Sequence, residues 1–234
     1  MNTFTWNGVN CATYDIICSN GGTYGAPEWD VTVINIPGRN APLTIDNGCF
    51  KPINVTFQCH VRKAFATNAP LIRNWLRSGV GFCRLTDDAH PGEYRMARPI
   101  GEVEFEPMFT DKEADINITF ECHPQRYLTS GETARTLTNP ATLTNPTGYE
   151  SRPRIRVNGS GDFTLTINGK AISFTDNNSG ITIDSEIYRA YNGSTPKDSS
   201  MTGDYPVLVP GENTISWTGS GVTSVQITPR WWTI

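Results

Sequence analysis

The 234-residue sequence predicts a mainly β protein with two β-sandwich or barrel-like domains, the first of which carries one short helix. Glycine and proline are frequent, at 21 and 16 residues, and Asn and Thr are abundant, which is a turn-rich composition. Runs of β-branched and aromatic residues end at Gly, Pro or Asn, as strands do. All six cysteines lie within the first 122 residues, which favours two domains with different cores.

The first domain is predicted to span residues 1–130. We expect its strands at Phe4–Trp6, Glu28–Ile36, Ile53–Val61 and Asp115–Cys122. One stretch, TNAPLIRNWLRSG, has apolar residues at the helical period, namely Leu71, Ile72, Trp75 and Leu76. Asn68 can cap the start of this helix, Pro70 lies in its first turn and Gly79 can end it. A single short helix is therefore expected to pack on a sheet.

The stretch INIPGRNAPLTIDNGCF, Ile34–Phe50, separates two strand-like segments. A glycine-rich anion cradle would need a helix that opens directly after the glycines. The run that follows, INVTFQC, is strand-like instead, and Pro42 disfavours helix at Ala41. The sequence therefore predicts a turn between strands.

The second half begins where the strand pattern breaks. The near-repeat TLTNPATLTNP is too short for a solenoid, and its Asn-Pro-rich composition predicts a linker at residues 131–148. The second domain, residues 149–234, has turn dipeptides at short intervals. Asn168-Gly169, between DFTLTI and KAISF, is a strong hairpin signal, and the alternation of Phe163, Leu165 and Ile167 with threonines indicates one buried face. These features predict a β-sandwich.

Charge and composition exclude several classes of partner. The net charge is −4 and the isoelectric point is about 5.4, with no basic run, so binding to duplex DNA or an anionic membrane is disfavoured. No apolar run approaches the roughly 20 residues that span a bilayer. The N-terminus lacks the features of a secretory signal, so we expect reduced, mostly buried cysteines rather than disulfides.

Two dipeptides, Cys59-His60 and Cys122-His123, resemble metal ligands. Each ends a predicted strand, where adjacent side chains point to opposite faces, so at most one residue of each pair could face a common site. We expect no metal and no cofactor.

The sequence contains neither G-x-S-x-G nor H-E-x-x-H, and no motif that pairs a nucleophilic Cys with a His base. The acidic residues Asp87, Asp88 and Glu93 surround His90 and Pro91-Gly92, which indicates a solvated turn rather than an acid/base pair. We therefore expect that the protein is not an enzyme.

Tryptophans in the predicted sandwich raise a second functional class, a cell-surface carbohydrate-binding module. Exposed aromatic rings can stack on sugars, but Trp217 lies in an alternating strand and is expected in the core. Trp231 and Trp232 are adjacent, so one ring can be buried and the other left for a partner. Both are candidate partner-surface residues.

The segment GEVEFEP alternates three carboxylates, Glu102, Glu104 and Glu106, with Val103 and Phe105. In a strand this places the acids on one face and the apolar side chains toward the core. Two accounts of the acidic face remain: ordinary solvation of a half-buried strand, or the lining of a channel.

Read in order, the chain resembles the distal tail proteins of long-tailed, non-contractile phages, mostly of Gram-positive hosts. The resemblance rests on the order and spacing of these segments: FTWNG (Phe4–Gly8), PGRN (Pro37–Asn40), DNG (Asp46–Gly48), WL (Trp75-Leu76), FECHPQRY (Phe120–Tyr127), NPTGYESRPRIRVNGSGDFTLTINGK (Asn145–Lys170), ITIDSE (Ile181–Glu186), YPVLVPGENTI (Tyr205–Ile215) and PRW (Pro229–Trp231). Where the family often carries Gly, this chain has Ala41.

The resemblance implies a ring-forming N-terminal domain with one helix and a galectin-like C-terminal sandwich. In that family six copies form a ring at the virion tail tip, assembled in the host cytoplasm, that joins the tail tube protein to the tail-tip and receptor-binding proteins. DNA passes through the ring without specific binding, so the resemblance makes Glu102, Glu104 and Glu106 channel-lining candidates. The galectin sugar motif H-x-N-P-R is absent, because no His follows His123.

The resemblance also gives the turn at Ile34–Phe50 a role as a corner and protruding loop of the ring-forming domain. Hairpin loops are natural places for subunit contacts, so Pro37, Gly38, Arg39 and Asn40 are subunit-interface candidates. The alternative is a solvent-exposed loop in a monomer.

Overall fold

The computed structural model describes residues 2–108, 112–175 and 177–234, and it confirms a mainly β fold that has one α-helix in the described part of the chain. The chain divides into two compact units. The first runs to Arg126 and includes the terminal Ile234, and the second is Tyr127–Thr233. Among the described residues, no helix combines the length and the apolarity needed to cross a bilayer.

The first unit contains ten strands in the described residues: β1 (Phe4–Trp6), β2 (Val9–Asn10), β3 (Ile16–Cys18), β4 (Trp29–Ile34), β5 (Leu43–Phe50), β6 (Ile53–Val61), β7 (Cys83–Asp87), β8 (Glu93–Ile100), β9 (Phe105–Pro107) and β10 (Ala114–Cys122). A 3-10 helix covers Cys11–Tyr14 and helix α1 covers Phe65–Arg77. Seven strands pair in the order β2-β1-β7-β8-β10-β6-β3, and β9 pairs with β10. The predictions for β1 and β6 are confirmed to the residue.

The core of the first unit lies between the central strands and α1. Along β6 and β10 every second residue is buried, which is the alternation of a half-buried sheet. From α1, Ile72, Trp75 and Leu76 enter the same core. The Phe4 ring stacks on both Phe57 and Trp75, with ring centroids 4.6 and 5.8 Å apart.

Helix α1 begins three residues earlier than the predicted cap. Ala64, at φ +49°, precedes it, and Asn68 lies inside it, where its amide donates to the carbonyls of Tyr14 and Lys63 at 3.2 Å each. The predicted cap is therefore wrong, because the Asn68 side chain bonds to the chain outside the helix. Leu71 is also wrong as a core residue: it is 48% exposed, one position off the buried stripe.

Strand β11 (Arg126–Leu128) begins at the last residue of the first unit's main segment and continues into the second unit. The other strands of the second unit in the described residues are β12 (Arg135–Leu137), β13 (Ala141–Asn145), β14 (Arg154–Gly159), β15 (Phe163–Ile167), β16 (Lys170–Phe174), β17 (Ile181–Asp184), β18 (Arg189–Asn192), β19 (Thr195–Pro196), β20 (Met201–Thr202), β21 (Gly211–Thr218), β22 (Val222–Thr228) and β23 (Trp232–Thr233). Short 3-10 helices cover Thr129–Gly131 and Asp198–Ser200. Two sheets run β12-β22-β14-β17-β18-β19 and β13-β21-β15-β16-β20. Buried residues of both sheets form one core, as in a sandwich.

The hairpin prediction in this unit is confirmed. Strands β15 and β16 pair in register, and the turn residues Asn168 and Gly169 have φ values of +51° and +77°. Both values are positive, as a type I′ turn requires. Phe163, Leu165 and Ile167 are buried on the inner face.

Residues 131–148 are not a linker. Strand β12 pairs with β22 in one sheet, and β13 pairs with β21 in the other, so the near-repeat supplies one strand to each sheet of the second unit. Leu143, from the second copy, is buried in the core. The Asn-Pro dipeptides follow these strands rather than marking a domain boundary.

Candidate functional site

The most exposed structural feature of the first unit is a two-stranded hairpin, residues 29–50, which we call the arm. Within the described ranges, strands β4 and β5 pair with each other and with no further strand. Apart from a few half-buried side chains near its root, the arm is exposed on both faces. An isolated two-stranded ribbon is at best marginally stable in water, so its exposure requires an explanation.

One face of the arm is apolar. In the β4–β5 register Thr32 lies opposite Ile45 and Ile34 lies opposite Leu43, so these four side chains share a face. Ile34, Leu43 and Ile45 are 43%, 45% and 46% exposed. We call these three residues the apolar stripe.

The turn predicted over Ile34–Phe50 is shorter in the structure, because Leu43–Phe50 is strand β5 and the turn is confined to the tip between β4 and β5. Gly38 has φ +80°, and the Arg39 amide donates to the Ile36 carbonyl at 3.1 Å. All four interface candidates, Pro37 to Asn40, are exposed. The positive φ favours glycine, which explains Gly38 as a local requirement of the turn.

The root of the arm is anchored to its own unit. The Lys51 amide donates to the Glu28 carbonyl at 2.9 Å, and this bond joins the two chain segments at the base of the hairpin. Before β4, the Tyr24 ring lies 4.7 Å from the His90 ring, and Arg126 donates to the Thr23 carbonyl. The arm therefore projects from a fixed base.

The acidic segment keeps its predicted alternation, although regular strand covers only Phe105–Pro107. Val103 and Phe105 pack against the core, while the three glutamates are exposed. The glutamates line one open concavity of about 360 Å³ together with Asp115, Ile116 and Asn117. The structure thus brings Glu102, Glu104, Glu106 and Asp115 onto one acidic surface.

The two metal-like dipeptides do not converge. Cys59 is buried with its Sγ 3.2 Å from Cys18 Sγ, whereas His60 faces outward and its Nδ1 lies 2.7 Å from Asp115 Oδ1. Cys122 is buried, and the His123 ring packs on Phe82 with centroids 4.4 Å apart. In the described ranges, no group of three or more His, Cys, Asp or Glu residues could hold a metal ion.

The turn at Asp87–Glu93 is more buried than the sequence suggests. His90 Nδ1 lies 2.6 Å from Asp87 Oδ1, and Arg126 lies 3.5 Å from Glu93. Burial lowers the pKa of Arg95 to about 10, with Arg126 adding to the effect. These side chains line a cavity of about 10 Å³, which is room for one water. We interpret the cluster as a structural polar network, which sequence spacing could not reveal because Arg95 and Arg126 come from separate strands.

Trp231 and Trp232 lie in different environments, as predicted for adjacent residues of an extended chain. Trp231 is 1% exposed and belongs to the core, so it is wrong as a partner-surface candidate. Trp232 is half-buried: it stacks on Tyr149 at 4.4 Å and donates to the Glu150 carbonyl at 2.9 Å. Trp217 packs partly buried against the core.

Two solved structures share the fold over essentially the whole chain. The first is the Dit protein (gp 19.1) of phage SPP1, which is described as a paradigm of hub adsorption apparatus in Gram-positive infecting phages. The TM-score is 0.77 and the sequence identity is 11%, with 100% of both chains covered. The chain has the Dit fold. The second is a chain of the phage P2 baseplate in its activated conformation with Ca, with a TM-score of 0.50 at 10% identity and coverage of 99% and 98%.

The predicted resemblance to distal tail proteins is therefore confirmed at the level of fold. No family model and no curated protein sequence matches the chain. At this level of identity the Dit fold is visible in the arrangement of strands and one helix rather than in shared residues.

Proposed function

We propose that the chain is a structural protein of a phage tail tip. In this proposal six copies close a ring that joins the tail tube to the tail-tip and receptor-binding proteins of a long, non-contractile-tailed phage or prophage. The Dit fold supports it, because the SPP1 protein of that fold is described as part of a hub adsorption apparatus. The role is assembly rather than catalysis, with the second unit as a galectin-like outer domain.

The observation that carries the proposal is the arm. The apolar stripe lies outside the core, on a ribbon that has neither face packed against its own sheet. Covering the stripe by another protein would stabilise both the ribbon and the contact. A second copy of the chain is the occupant we propose, because a head-to-tail contact that repeats around an axis closes a ring.

The tip of the arm adds polar specificity to this contact. The exposed guanidinium of Arg39 has five donors and suits a carboxylate or carbonyls on the neighbouring copy. Pro37, Gly38 and Asn40 present it on a fixed turn. In this arrangement the stripe supplies affinity, and the tip sets the register between subunits.

The acidic surface is proposed to face the channel of the ring. The surface carries four carboxylates in each copy, and ring symmetry would repeat them around the passage. The phosphates of DNA are attracted to Lys and Arg, whereas carboxylates repel them, so an acidic wall would let DNA pass without binding. Salt screens this repulsion beyond about 8–10 Å. A ring structure with Glu102, Glu104 and Glu106 on the outer wall would rule this part out while leaving the ring intact.

The test of the ring is the oligomeric state of purified protein. Light scattering coupled to gel filtration, over a range of concentrations, is expected to give a mass several times that of the 25.8 kDa chain. The triple variant I34T/L43T/I45T places a β-branched residue, which suits a strand, at each position and removes the apolar stripe. Fully burying such a side chain is worth about 1.5–3 kcal/mol, so covering the exposed near-half of each is worth about 1 kcal/mol, or ~3 kcal/mol per contact.

The triple variant is therefore expected to weaken association at least ~100-fold. The matched control is Val33→Thr, on the opposite face of the arm and 54% exposed, which should leave association unchanged. A wild-type chain that stays monomeric at every concentration, or a triple variant that assembles normally, would contradict the proposed role of the arm.

A further inference from the structure

Cys18 and Cys59 lie directly opposite each other on β3 and β6, with their Sγ atoms 3.2 Å apart. They form a non-hydrogen-bonded pair: the adjacent bond runs from the Ser19 amide to the Gln58 carbonyl, and the bond from the Arg62 amide to the Asp15 carbonyl, three positions along the ladder, has the matching phase. Such pairs hold their Cα atoms about 4.5 Å apart, within the range that a disulfide bridges. Side-chain rotation alone can bring the two sulfurs to bonding distance.

We propose that Cys18 and Cys59 are a latent cross-strand disulfide, formed when the protein leaves a reducing compartment and meets a peroxide. One thiol reduces hydrogen peroxide and becomes a sulfenic acid, with release of one water. The second thiol then attacks the sulfenic sulfur, the S–S bond forms, and the hydroxyl leaves with the second thiol proton as another water. Two thiols and one peroxide thus give one disulfide and two waters.

The register favours this pair over one with the neighbouring Cys11. Cys18 and Cys59 are cross-strand partners, whereas Cys11 lies in the 3-10 helix that precedes β3. The thiols of Cys11 and Cys59 each lie 3.6 Å from a backbone carbonyl oxygen, of Ile16 and Phe57, so this contact does not distinguish them. Cys18 and Cys59 are each 6% exposed, which admits a molecule as small as peroxide. The hydrogen bond from Cys11 lowers the pKa of Cys18, but Cys59 and burial raise it more, so the reaction is slow at neutral pH and faster at alkaline pH.

The position of the pair gives the bond a consequence. Cys18 and Cys59 are 41 positions apart in the sequence and lie on either side of the arm, so the disulfide would close a loop that contains the whole arm. It would tie together the two strands from which the arm emerges. This inference goes beyond the proposed function and does not depend on ring formation.

The test is oxidation of the purified chain with hydrogen peroxide, followed by denaturing alkylation and peptide mapping by mass spectrometry. We expect two of the six thiols to be lost and the fragment spectra to link Cys18 to Cys59. The melting temperature of the first unit should rise by at least ~5 °C and return on reduction. Cys59→Ala should abolish both effects, and Cys49→Ala, on the exposed arm, should abolish neither.

Peptide mapping of the wild-type chain decides the outcome even if Cys59→Ala folds poorly. Six alkylated thiols after oxidation, a Cys11–Cys18 link, or oxidation confined to Cys49 would each overturn the inference. A Cys18–Cys59 link without a change in melting temperature would overturn the claim that the bond braces the arm.

Discussion

Arg230 and Asp184 form a buried ion pair in the second unit whose removal gives a sharp prediction. Arg230 Nη1 and Nη2 donate to the two Asp184 carboxylate oxygens at 2.6 and 2.9 Å, and the Asp184 side chain is 7% exposed. Burial alone would raise the pKa of Asp184, but the hydrogen bonds and charge of Arg230, together with the backbone amides of Glu186 and Ile187, outweigh burial and hold the pKa below its ordinary value. Arg230 is the larger of these stabilising influences on the carboxylate.

Replacement of Arg230 by Met keeps much of the apolar stem and removes the charge. Breaking one partner of a buried pair costs about 3–5 kcal/mol, because the remaining charge is left uncompensated. We expect ~3 kcal/mol, the lower end, because Arg230 is 27% exposed and water can reach part of the site. The matched control is Arg189→Met, whose pair with Asp198 is exposed and worth about 0–1 kcal/mol.

Hydrogen exchange of the β14 and β17 amides measures the effect in the second unit alone, since a two-unit chain does not denature in one step. Arg230→Met should speed the slowest exchange ~100-fold at neutral pH. In the wild type the folded pKa of Asp184 is depressed, so its contribution is present above the unfolded pKa and is lost as pH falls. In the variant the amides of Glu186 and Ile187 still lower the pKa of Asp184, but the contribution of Arg230 is lost, so this pKa is higher than in the wild type and the stability gap between the two proteins should narrow toward about pH 4. An Arg230→Met effect no larger than that of Arg189→Met, or one independent of pH, would refute the reasoning.

Two further predictions concern the backbone. Gly159 has φ +125°, and a Cβ there would overlap the Gly221 carbonyl oxygen, so Gly159→Ala should destabilise the second unit by ~3 kcal/mol in the same exchange assay. The control is Gly161→Ala, at φ +83° with open space around it, which should cost only about 1 kcal/mol. Equal losses of stability in the two variants would contradict this account. Limited trypsin digestion should cut first after Arg39 at the exposed arm tip and should spare Arg135, because Arg135 lies in β12 and pairs with Ile227. A first cut at Arg135 would restore the linker interpretation of residues 131–148.

Local patterns predicted the elements whose neighbours are close in sequence. The β-branched and aromatic run Ile53–Val61 and the Asn-Gly turn at 168–169 each identify a structure within a few residues, and both predictions are confirmed. The helix was predicted, but its start was not, because Asn68 is held by carbonyls of Tyr14 and Lys63 rather than by its own helix. A cap signal in sequence cannot show that a tertiary contact competes for the same side chain.

The prediction of a linker at residues 131–148 was wrong for a similar reason, namely that contacts distant in sequence decide the structure. Pairing of Leu137 with Val225 and of Thr142 with Thr214 joins residues more than seventy positions apart, so no local pattern could reveal it. In the candidate site, the turn at Pro37–Asn40 was predicted from its residues. The apolar stripe was not, because Ile34, Leu43 and Ile45 have the pattern of an ordinary core strand, and only the structure shows that no core lies beside them.

The closure of the arm at its root makes it a module. Glu28 and Lys51 are joined by a backbone hydrogen bond of 2.9 Å and a side-chain ion pair of 3.4 Å, so the body receives the chain at the same two points whatever lies between them. Each doubling of a closed loop costs only about 0.6 kcal/mol. The arm can therefore change in length and sequence at little cost to the fold that carries it. If the proposed contact is made through the arm, the contact surface can evolve while the rest of the first unit stays constant.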